Sequence, residues 1–214
     1  MANKNIIILL VIFQLTVSSS RAQSFYIDPE TTSYINDAVY VPKYNHVFFF
    51  GGASMMPYDM NDSATVQTAW FPLGEFGDID ASVLWDDDHL LLFVDSQYVM
   101  YEIDSARVIS DWVTWPSWPE EWQGEIDACV RWGDDEIMFF SGNEYLLYSI
   151  SENAYTERNF YTAWEGWPST WQYALLAVLK IDNSIYFLQD DEYILLDPVS
   201  FKLTAPAKLW AANK

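Results

Sequence analysis

Short apolar runs separated by turns rich in glycine, aspartate and asparagine dominate this sequence. The clearest example covers residues 126–149, IDACVRWGDDEIMFFSGNEYLLYS. Apolar and polar residues alternate over residues 126–132, and two further runs of aromatic and aliphatic side chains follow at 137–140 and 145–148. Runs of this kind, bounded by turn residues, are typical of antiparallel strands joined by tight hairpins. The stretch therefore predicts three strands in an antiparallel meander.

The same arrangement recurs four times along the chain. The opening strand of each copy carries a valine, and the valines are separated by 44, 47 and 48 residues: Val39, Val83, Val130 and Val178. Two further positions follow each valine, ten and fifteen residues later, in the pairs Phe49 and Ser54, Phe93 and Tyr98, Phe140 and Tyr145, and Leu188 and Tyr193. Repeats of about 40 to 50 residues with three or four strands each are typical of propeller blades. We therefore expect an all-β fold, a four-bladed propeller with blades at residues 34–78, 79–125, 126–173 and 174–210.

A segment rich in tryptophan and proline ends each of the first three copies, at residues 70–72, 115–122 and 164–171. Proline is favoured in the first turn of a helix, so these segments predict short helices between the blades that fold back onto the sheets. Clustered tryptophans also suit a platform on which a ligand stacks. Because the motif recurs in register, packing between blades is the favoured interpretation.

The first 22 residues differ from the rest of the chain. Lys4 precedes an unbroken apolar run at residues 6–13, and Ser20-Arg21-Ala22 has the small-x-small pattern of a cleavage site. This combination predicts a secretory signal peptide over residues 1–22 and a mature propeller over residues 23–214. The alternative is a membrane anchor, but the apolar run is too short to cross a bilayer of roughly 30 Å. We therefore expect a secreted, extracellular protein with no membrane partner.

The chain is strongly acidic. It contains 31 acidic and 10 basic residues, for a formal charge of −21. Removal of residues 1–22 would take away two basic residues and no acidic ones, which brings the charge to −23. This charge argues against nucleic acid and anionic membranes, and it favours cations, mineral surfaces or basic proteins as partners. The alternative is that the charge keeps a tryptophan-rich surface soluble.

Cys129 is the single cysteine. The chain can therefore form no internal disulfide, and its fold depends on its core. Because Cys129 lies between Ala128 and Val130 in a predicted strand, we expect a buried thiol. A bridge to a second chain is the alternative.

The repeats resemble the hemopexin-like repeat family over residues 34–210. The opening strands carry Asp-Ala in Ile79-Asp80-Ala81 and Ile126-Asp127-Ala128, an aromatic strand leads into Ser141-Gly142, and Tyr-x-x-Tyr follows at residues 98–101 and 145–148. The resemblance implies a four-bladed propeller whose opening strands line a central channel. Members of the family normally close the ring with a disulfide, although plant seed albumins of this fold manage without it. This chain would instead close it by packing, or by residues 202–210 joining the first blade.

The resemblance also implies a cation site in the channel. Backbone carbonyls of the opening strands would hold calcium or another ion, and the aligned residues are Asn36, Asp80, Asp127 and Leu175. Calcium accepts several oxygen ligands and carbonyls need no particular side chain, so Leu175 is compatible with the site. The alternative is a channel filled with water.

Acidic turns recur outside the channel. They comprise Asp86, Asp87, Asp88, Asp134, Asp135, Glu136, Asp190, Asp191 and Glu192. Such carboxylates can bind calcium weakly or face a mineral lattice, although aspartate is also favoured in turns for local reasons and the spacing is not that of an EF-hand loop. Asn61-Asp62-Ser63 is an acceptor motif for N-glycosylation.

The sequence gives little support for catalysis. Its two histidines, His46 and His89, lie in or beside predicted hairpins and outside any known nucleophile or zinc pattern. The resemblance does not extend to heme transport, because heme is held there between two propellers. We therefore expect a non-enzymatic extracellular structural or matrix protein that interacts with calcium or mineral. The alternative is a propeller that binds or transports a small ligand such as heme, a polyamine or another cation.

Overall fold

The computed structural model describes residues 10–13, 23–26, 35–61, 71–73, 77–116, 118–122, 126–171, 175–189, 192–197, 199–200, 202–203, 207–208 and 210–211. Nearly all regular structure in these residues is antiparallel β-sheet, arranged as four blades of consecutive strands.

The first three strands of each blade form an antiparallel meander, and the short closing strands, one in blades I and III and two in blades II and IV, all pair with the third strand. A separate three-stranded sheet is formed by β1 (Leu10–Phe13), β2 (Gln23–Tyr26) and β21 (Trp210–Ala211), with β1 in the centre. Blade I contains β3 (Asp37–Val41), β4 (His46–Gly51), β5 (Ser54–Asp59) and β6 (Phe71–Pro72). Blade II contains β7 (Ala81–Asp86), β8 (His89–Val94), β9 (Gln97–Glu102), β10 (Arg107–Val108) and β11 (Val113–Thr114).

The other two blades follow the same plan. Blade III contains β12 (Ala128–Arg131), β13 (Glu136–Ser141), β14 (Glu144–Ser149) and β15 (Ala154–Phe160). Blade IV contains β16 (Ala177–Ile181), β17 (Ser184–Gln189), β18 (Glu192–Asp197), β19 (Lys202–Leu203) and β20 (Ala207–Lys208). The signal peptide over residues 1–22, within which β1 lies, stays a prediction.

The opening strands of the blades form a closed ring. β3 contacts β7, β7 contacts β12, β12 contacts β16, and β16 returns to β3. The predicted four-bladed propeller is therefore confirmed. Packing of β16 against β3 closes the ring, whereas the closing strands β19 and β20 pair with β18 of their own blade.

The prediction of short helices between the blades is wrong. The described connectors contain two single 3₁₀ turns, η1 (Glu120–Trp122) and η2 (Tyr161–Ala163), and the described residues include no α-helix. Each turn is closed by a bond between residues three apart, such as the N–H of Trp122 to the carbonyl of Pro119 at 2.9 Å. Prolines within the connectors remove N–H donors and restrict the residue before them, which prevents a turn of helix from extending.

Strand pairing corrects the register of the repeats in blades I and IV. The N–H groups of Asn36, Asp80, Asp127 and Leu176 donate to the carbonyls of Phe50, Phe93, Phe140 and Leu188, respectively. Leu176, not Leu175, is therefore the equivalent of Asp127. By the same pairing the equivalents of Phe140, Tyr145 and Val130 are Phe50, Met55 and Leu179 rather than Phe49, Ser54 and Val178. The cause is the first hairpin, whose loop spans residues 42–45 in blade I and only residues 182–183 in blade IV.

Four apolar clusters fill the four interfaces between blades. Trp115, Trp118 and Trp122 are buried between blades II and III, and Trp171 is buried between blades III and IV beside the partly buried Trp164 and Trp167. The tryptophans of the second and third connectors thus pack between blades, as their recurrence in register indicates, whereas Trp70 of the first connector lies outside the described residues. Each buried aromatic side chain removes on the order of 150–250 Å² from water, so these residues are a major source of stability.

Candidate functional site

The channel lies where the four opening strands meet. A cavity of about 210 Å³ occupies the end at which these strands finish, and all four blades contribute to its wall. One ring of structurally equivalent residues lines it: Tyr40, Leu84, Arg131 and Lys180. Two basic residues therefore meet at this end of the channel, in a chain that has few of them.

Asp37 is a buried acid deeper in the ring. It opens β3, about 10 Å along the strand from Tyr40, and its side chain is fully buried. Its Oδ2 accepts a hydrogen bond from the hydroxyl of Ser82 on β7. Burial raises the pKa of the Cys129 thiol on β12, and the charge of Asp37 adds to this. The carboxylate thus lies among the opening strands of blades I, II and III.

The second carboxylate oxygen of Asp37 is unpaired. Among the described residues Oδ1 has no hydrogen-bond partner. Burial raises the pKa of Asp37 well above its usual range, and Asp80 adds to this, although the Ser82 hydroxyl and the backbone N–H groups of Ala38 and Ser82 act in the opposite direction. A buried carboxylate without a counter-charge is costly, so this position favours either a proton or a cation.

Asp37 is the residue that the sequence reasoning missed. Its structural equivalents in the other blades are Ala81, Ala128 and Ala177. Small apolar residues suit this crowded position, and three of the four blades have one. A single acid in a column of alanines is the signal that could have identified it.

The side chains of Asp80 and Asp127 bond to hairpin loops of their own blades. The Asp80 carboxylate accepts the backbone N–H of Asp95 at 2.6 Å, and the Asp127 carboxylate accepts that of Gly142 at 2.7 Å. Asp95 and Gly142 are the first residues of the second hairpin loop in their blades, and their φ angles are positive, at 52° and 57°. The Asp of the Ile-Asp-Ala motif thus stabilises the second hairpin of its blade by accepting a backbone N–H. The predicted role of Asn36, Asp80 and Asp127 in holding a cation concerns their carbonyls and stays a prediction, and Leu176 replaces Leu175 in that set.

The acidic turns of blades II and III are held by local bonds. Asp86 accepts the N–H of Asp88 at 2.9 Å and lies 2.7 Å from Nδ1 of His89. Asp135 accepts the Ser149 hydroxyl at 2.8 Å and the Ser151 hydroxyl at 2.7 Å. No group of three His, Cys, Asp or Glu side chains that could hold a metal occurs in the part of the chain that the structure describes. The bonded carboxylates therefore serve the turns, while Asp87 and Asp134 are exposed.

Glu192 departs from its predicted place in an acidic patch. Its Oε2 accepts the indole N–H of Trp171 at 3.1 Å. The equivalent contact in the preceding blade joins Trp122 to Glu144 at 3.2 Å. Glu192 is thus part of a repeated latch between a connector and the next blade. Asp190 and Asp191 lie outside the described residues.

Cys129, the two histidines and Asn61 are the remaining candidate residues. Cys129 is a buried free thiol, as expected. His46 and His89 open equivalent strands of blades I and II, so they lie apart from each other. Asn61 is exposed and donates to Asp59 at 3.0 Å, and its glycosylation stays a prediction because Asp62 and Ser63 fall outside the described residues. No helix in the described ranges has the length and apolar character needed to cross a membrane.

No protein-family model and no curated protein matches the sequence. Solved structures do match the fold. The hemopexin-fold protein CP4 from cow pea superposes with a TM-score of 0.69 at 14% identity, covering 82% of this chain and 93% of that one. A plant albumin from Cicer arietinum showing hemagglutination gives 0.68 at 16% identity, with coverage of 82% and 93%.

A third structure is described as a plant lectin with two metal binding sites, also from Cicer arietinum. It gives a TM-score of 0.66 at 16% identity and covers 82% of this chain and 93% of that one. Identities this low show the fold alone. Together with the closed ring of four blades, they establish that this chain is a single four-bladed β-propeller of the hemopexin fold.

Proposed function

We propose that this protein is a secreted, non-enzymatic propeller that binds a cation, calcium first among them, in its central channel. The observation that carries the proposal is the unpaired, fully buried Oδ1 of Asp37 among the opening strands. A cation bound there would neutralise the carboxylate and coordinate its Oδ1 atom.

The residues around Asp37 suit a hard cation. Calcium prefers oxygen ligands, and backbone carbonyls meet its needs as well as carboxylates do. The ligands would be the Asp37 carboxylate with carbonyls of Asn36, Asp80, Asp127 and Leu176. The net charge of −21 raises the local concentration of cations around the propeller. The lectin of the same fold, described as having two metal binding sites, adds support by analogy of fold.

The outer surface supports an extracellular structural role. The acidic hairpins of blades II and III carry exposed carboxylates at Asp87 and Asp134 that face solvent. Such a surface would bind a basic matrix protein or a calcium mineral, and its affinity would fall with added salt. Outside the channel, the bonded acids of the described residues stabilise turns, accept bonds from connector tryptophans or form surface ion pairs, which favours a binding protein over an enzyme.

Calorimetry with calcium tests the channel site. The purified protein is stripped with EDTA, titrated with Ca²⁺, and compared with Asp37→Asn, which keeps the shape of the side chain and removes its charge. Asp87→Asn is the matched control, because it removes one exposed charge outside the channel. We expect the native chain and Asp87→Asn to bind one Ca²⁺ with a rise in Tm, and Asp37→Asn to lose most of the affinity.

The thermal shift has a defined size. A ligand at 100 times its Kd adds about 2.7 kcal/mol to the stability of the folded state, which corresponds to several degrees in Tm for a domain of this length. If neither Ca²⁺ nor Mg²⁺ binds the native chain, the channel-cation proposal is wrong. If Asp37→Asn binds as tightly as the native chain, the cation is held elsewhere.

A second candidate function, the binding of a small organic ligand, is favoured by a separate cleft between blades I and II.

A further inference from the structure

A cleft of about 480 Å³ opens between blades I and II, away from the channel. This volume lies within the usual range for small-molecule sites, about 300–1,000 Å³. Its walls are mostly apolar and aromatic, with polar groups at the rim. The residues that matter here are Tyr44, His46, Met55, Leu73, Tyr101 and Asp104.

The repeat explains why the cleft is there. The N–H of Leu73 donates to the carbonyl of Ala53 at 2.9 Å, and the N–H of Trp115 makes the equivalent bond to Ser96 at 3.1 Å. Leu73 follows β6 as Trp115 follows β11, and β6 and β11 pair with equivalent strands of their blades. Leu73 is therefore the counterpart of Trp115.

The side chain of Trp115 shows what this position can hold. Its ring lies 5.3 Å from the ring of Tyr98 and 4.9 Å from the ring of Tyr148, between blades II and III. The equivalents of these two tyrosines are Met55 and Tyr101, and both line the cleft. With leucine in place of tryptophan, the interface between blades I and II contains open space where its neighbour contains an indole ring.

Aromatic side chains near the opening suit a flat ligand. The rings of Tyr44 and His46 are 6.0 Å apart, and His46 lies 6.3 Å from Phe48. Aromatic rings at such distances pack edge to face or offset against a further ring. The rings of Tyr44, His46, Phe48 and Tyr101 thus all line the cleft.

The charges at the rim are mainly negative. Asp104 lies at the edge of the cleft, where Lys43 contacts it at 3.0 Å and Tyr44 donates to it. Lys43 also contacts Asp88, with 2.5 Å between Nζ and Oδ1. The Oδ1 of Asp59 lies 3.9 Å from Nε2 of His46. Asp88 and Asp104 therefore share Lys43, and Asp59 lies beside His46. The rim carries more carboxylates than lysines, which favours a positively charged group on the ligand.

We propose that this cleft binds a small molecule that carries a planar aromatic ring and an ammonium group. The ring takes the place that the Trp115 indole occupies in the next interface, and the ammonium group faces Asp104. This site is independent of the cation in the channel, so either proposal can fail without the other.

Tryptamine is the probe, because it joins an indole ring to an ammonium group. Binding is measured by calorimetry and by saturation-transfer NMR, with indole-3-acetate as the anionic counterpart of the same ring. We expect tryptamine to bind in a 1:1 ratio and indole-3-acetate to bind at least tenfold more weakly. The Asp104→Asn variant should bind tryptamine about fivefold more weakly, the effect of one exposed ion pair.

Leu73→Trp is the decisive variant. It supplies the indole from the chain itself and should abolish tryptamine binding while the protein stays folded, with an equal or higher Tm. The control is Val199→Trp, which adds the same ring at a position that is 87% exposed on blade IV and should leave binding unchanged. The proposal is overturned if the native chain does not bind tryptamine at millimolar concentration, if indole-3-acetate binds equally well, or if Leu73→Trp binds as the native chain does. If Leu73→Trp does not fold, the comparison of tryptamine binding by Asp104→Asn and by the native chain tests the proposal instead.

Discussion

Lys180 of blade IV reaches back to the backbone carbonyl of Trp132 in blade III, with 2.7 Å between Nζ and the oxygen. Arg131 makes the equivalent contact one interface earlier, where its Nη1 donates to the carbonyl of Trp85 at 3.3 Å and its guanidinium lies 5.9 Å from the Trp85 ring. Burial lowers the pKa of Arg131. These two basic residues at the end of the channel therefore link neighbouring blades through backbone oxygens, in a fold that has no disulfide to hold its ring.

Lys180→Met should destabilise the protein. Methionine keeps most of the aliphatic length but removes the ammonium group that donates to the Trp132 carbonyl, and the loss of a hydrogen bond from a charged donor costs about 1.5–3 kcal/mol. Chemical denaturation followed by tryptophan fluorescence measures the loss. Lys202→Met, at an exposed site on β19, is the control and should change stability by less than about 0.5 kcal/mol. Equal effects of the two substitutions would show that the contact to Trp132 has no structural value.

The blades were predictable from the sequence because short apolar runs bounded by turn residues recur at nearly constant spacing, and the second strand of each blade is buried over four consecutive residues. Val83, for example, is buried in an interface, and its repeat spacing locates the neighbouring blades. The one-residue shifts at Leu176 and Phe50 were not predictable from spacing, because they arise from hairpin loops of different length that leave the apolar pattern almost unchanged.

The candidate site was less accessible to sequence reasoning than the fold. The Asp-Ala motif correctly located the opening strands, but the carboxylates of Asp80 and Asp127 turn toward hairpins rather than serving a site. Asp37 looks like an ordinary polar residue at a strand end. Its burial depends on three strands that are 45 or more residues apart in sequence and meet only in the closed ring.

Asp127→Ala should weaken blade III without abolishing calcium binding. The substitution removes the acceptor for the Gly142 N–H, at a cost of about 1 kcal/mol, but it keeps the backbone carbonyl that would face the ion. Denaturation curves and calcium calorimetry on the same preparation separate the two effects, with Asp87→Ala as the control. Loss of calcium binding in a protein that is still folded would instead indicate that the Asp127 carboxylate itself is a ligand.

Glu192→Ala should loosen the connector between blades III and IV. It removes the acceptor for the Trp171 indole N–H, which is partly buried, and the expected loss is about 1–2 kcal/mol. Glu192→Gln is the matched variant, because its amide oxygen can still accept the bond and should retain most of the stability. Hydrogen exchange at the Trp171 indole reports the latch directly. Equal exchange in the two variants would contradict it.

Asp135 should contribute a pH-dependent stability to the turn that follows β14. The Ser151 and Ser149 hydroxyls and the Ser151 N–H hold the pKa of Asp135 below its ordinary value of 3.8, and Arg131 adds to this. Since the folded pKa is lower than the unfolded one, the ionised form is favoured in the fold. The stabilisation is therefore fully present above the unfolded pKa and is lost as the pH falls through the folded pKa.

We expect the amide of Ser151, which donates to Asp135 at 2.9 Å, to lose protection from hydrogen exchange as the pH falls below about 3.8. NMR titration of the Asp135 carboxyl carbon measures its pKa, and exchange measured across the same pH range measures the coupling. Asp135→Asn should remove the pH dependence at Ser151, whereas Asp134→Asn, whose side chain faces solvent, should keep it. A titration of Asp135 at or above its ordinary pKa would show that the serine bonds do not favour the carboxylate, and the acidic hairpin would then be free to bind cations.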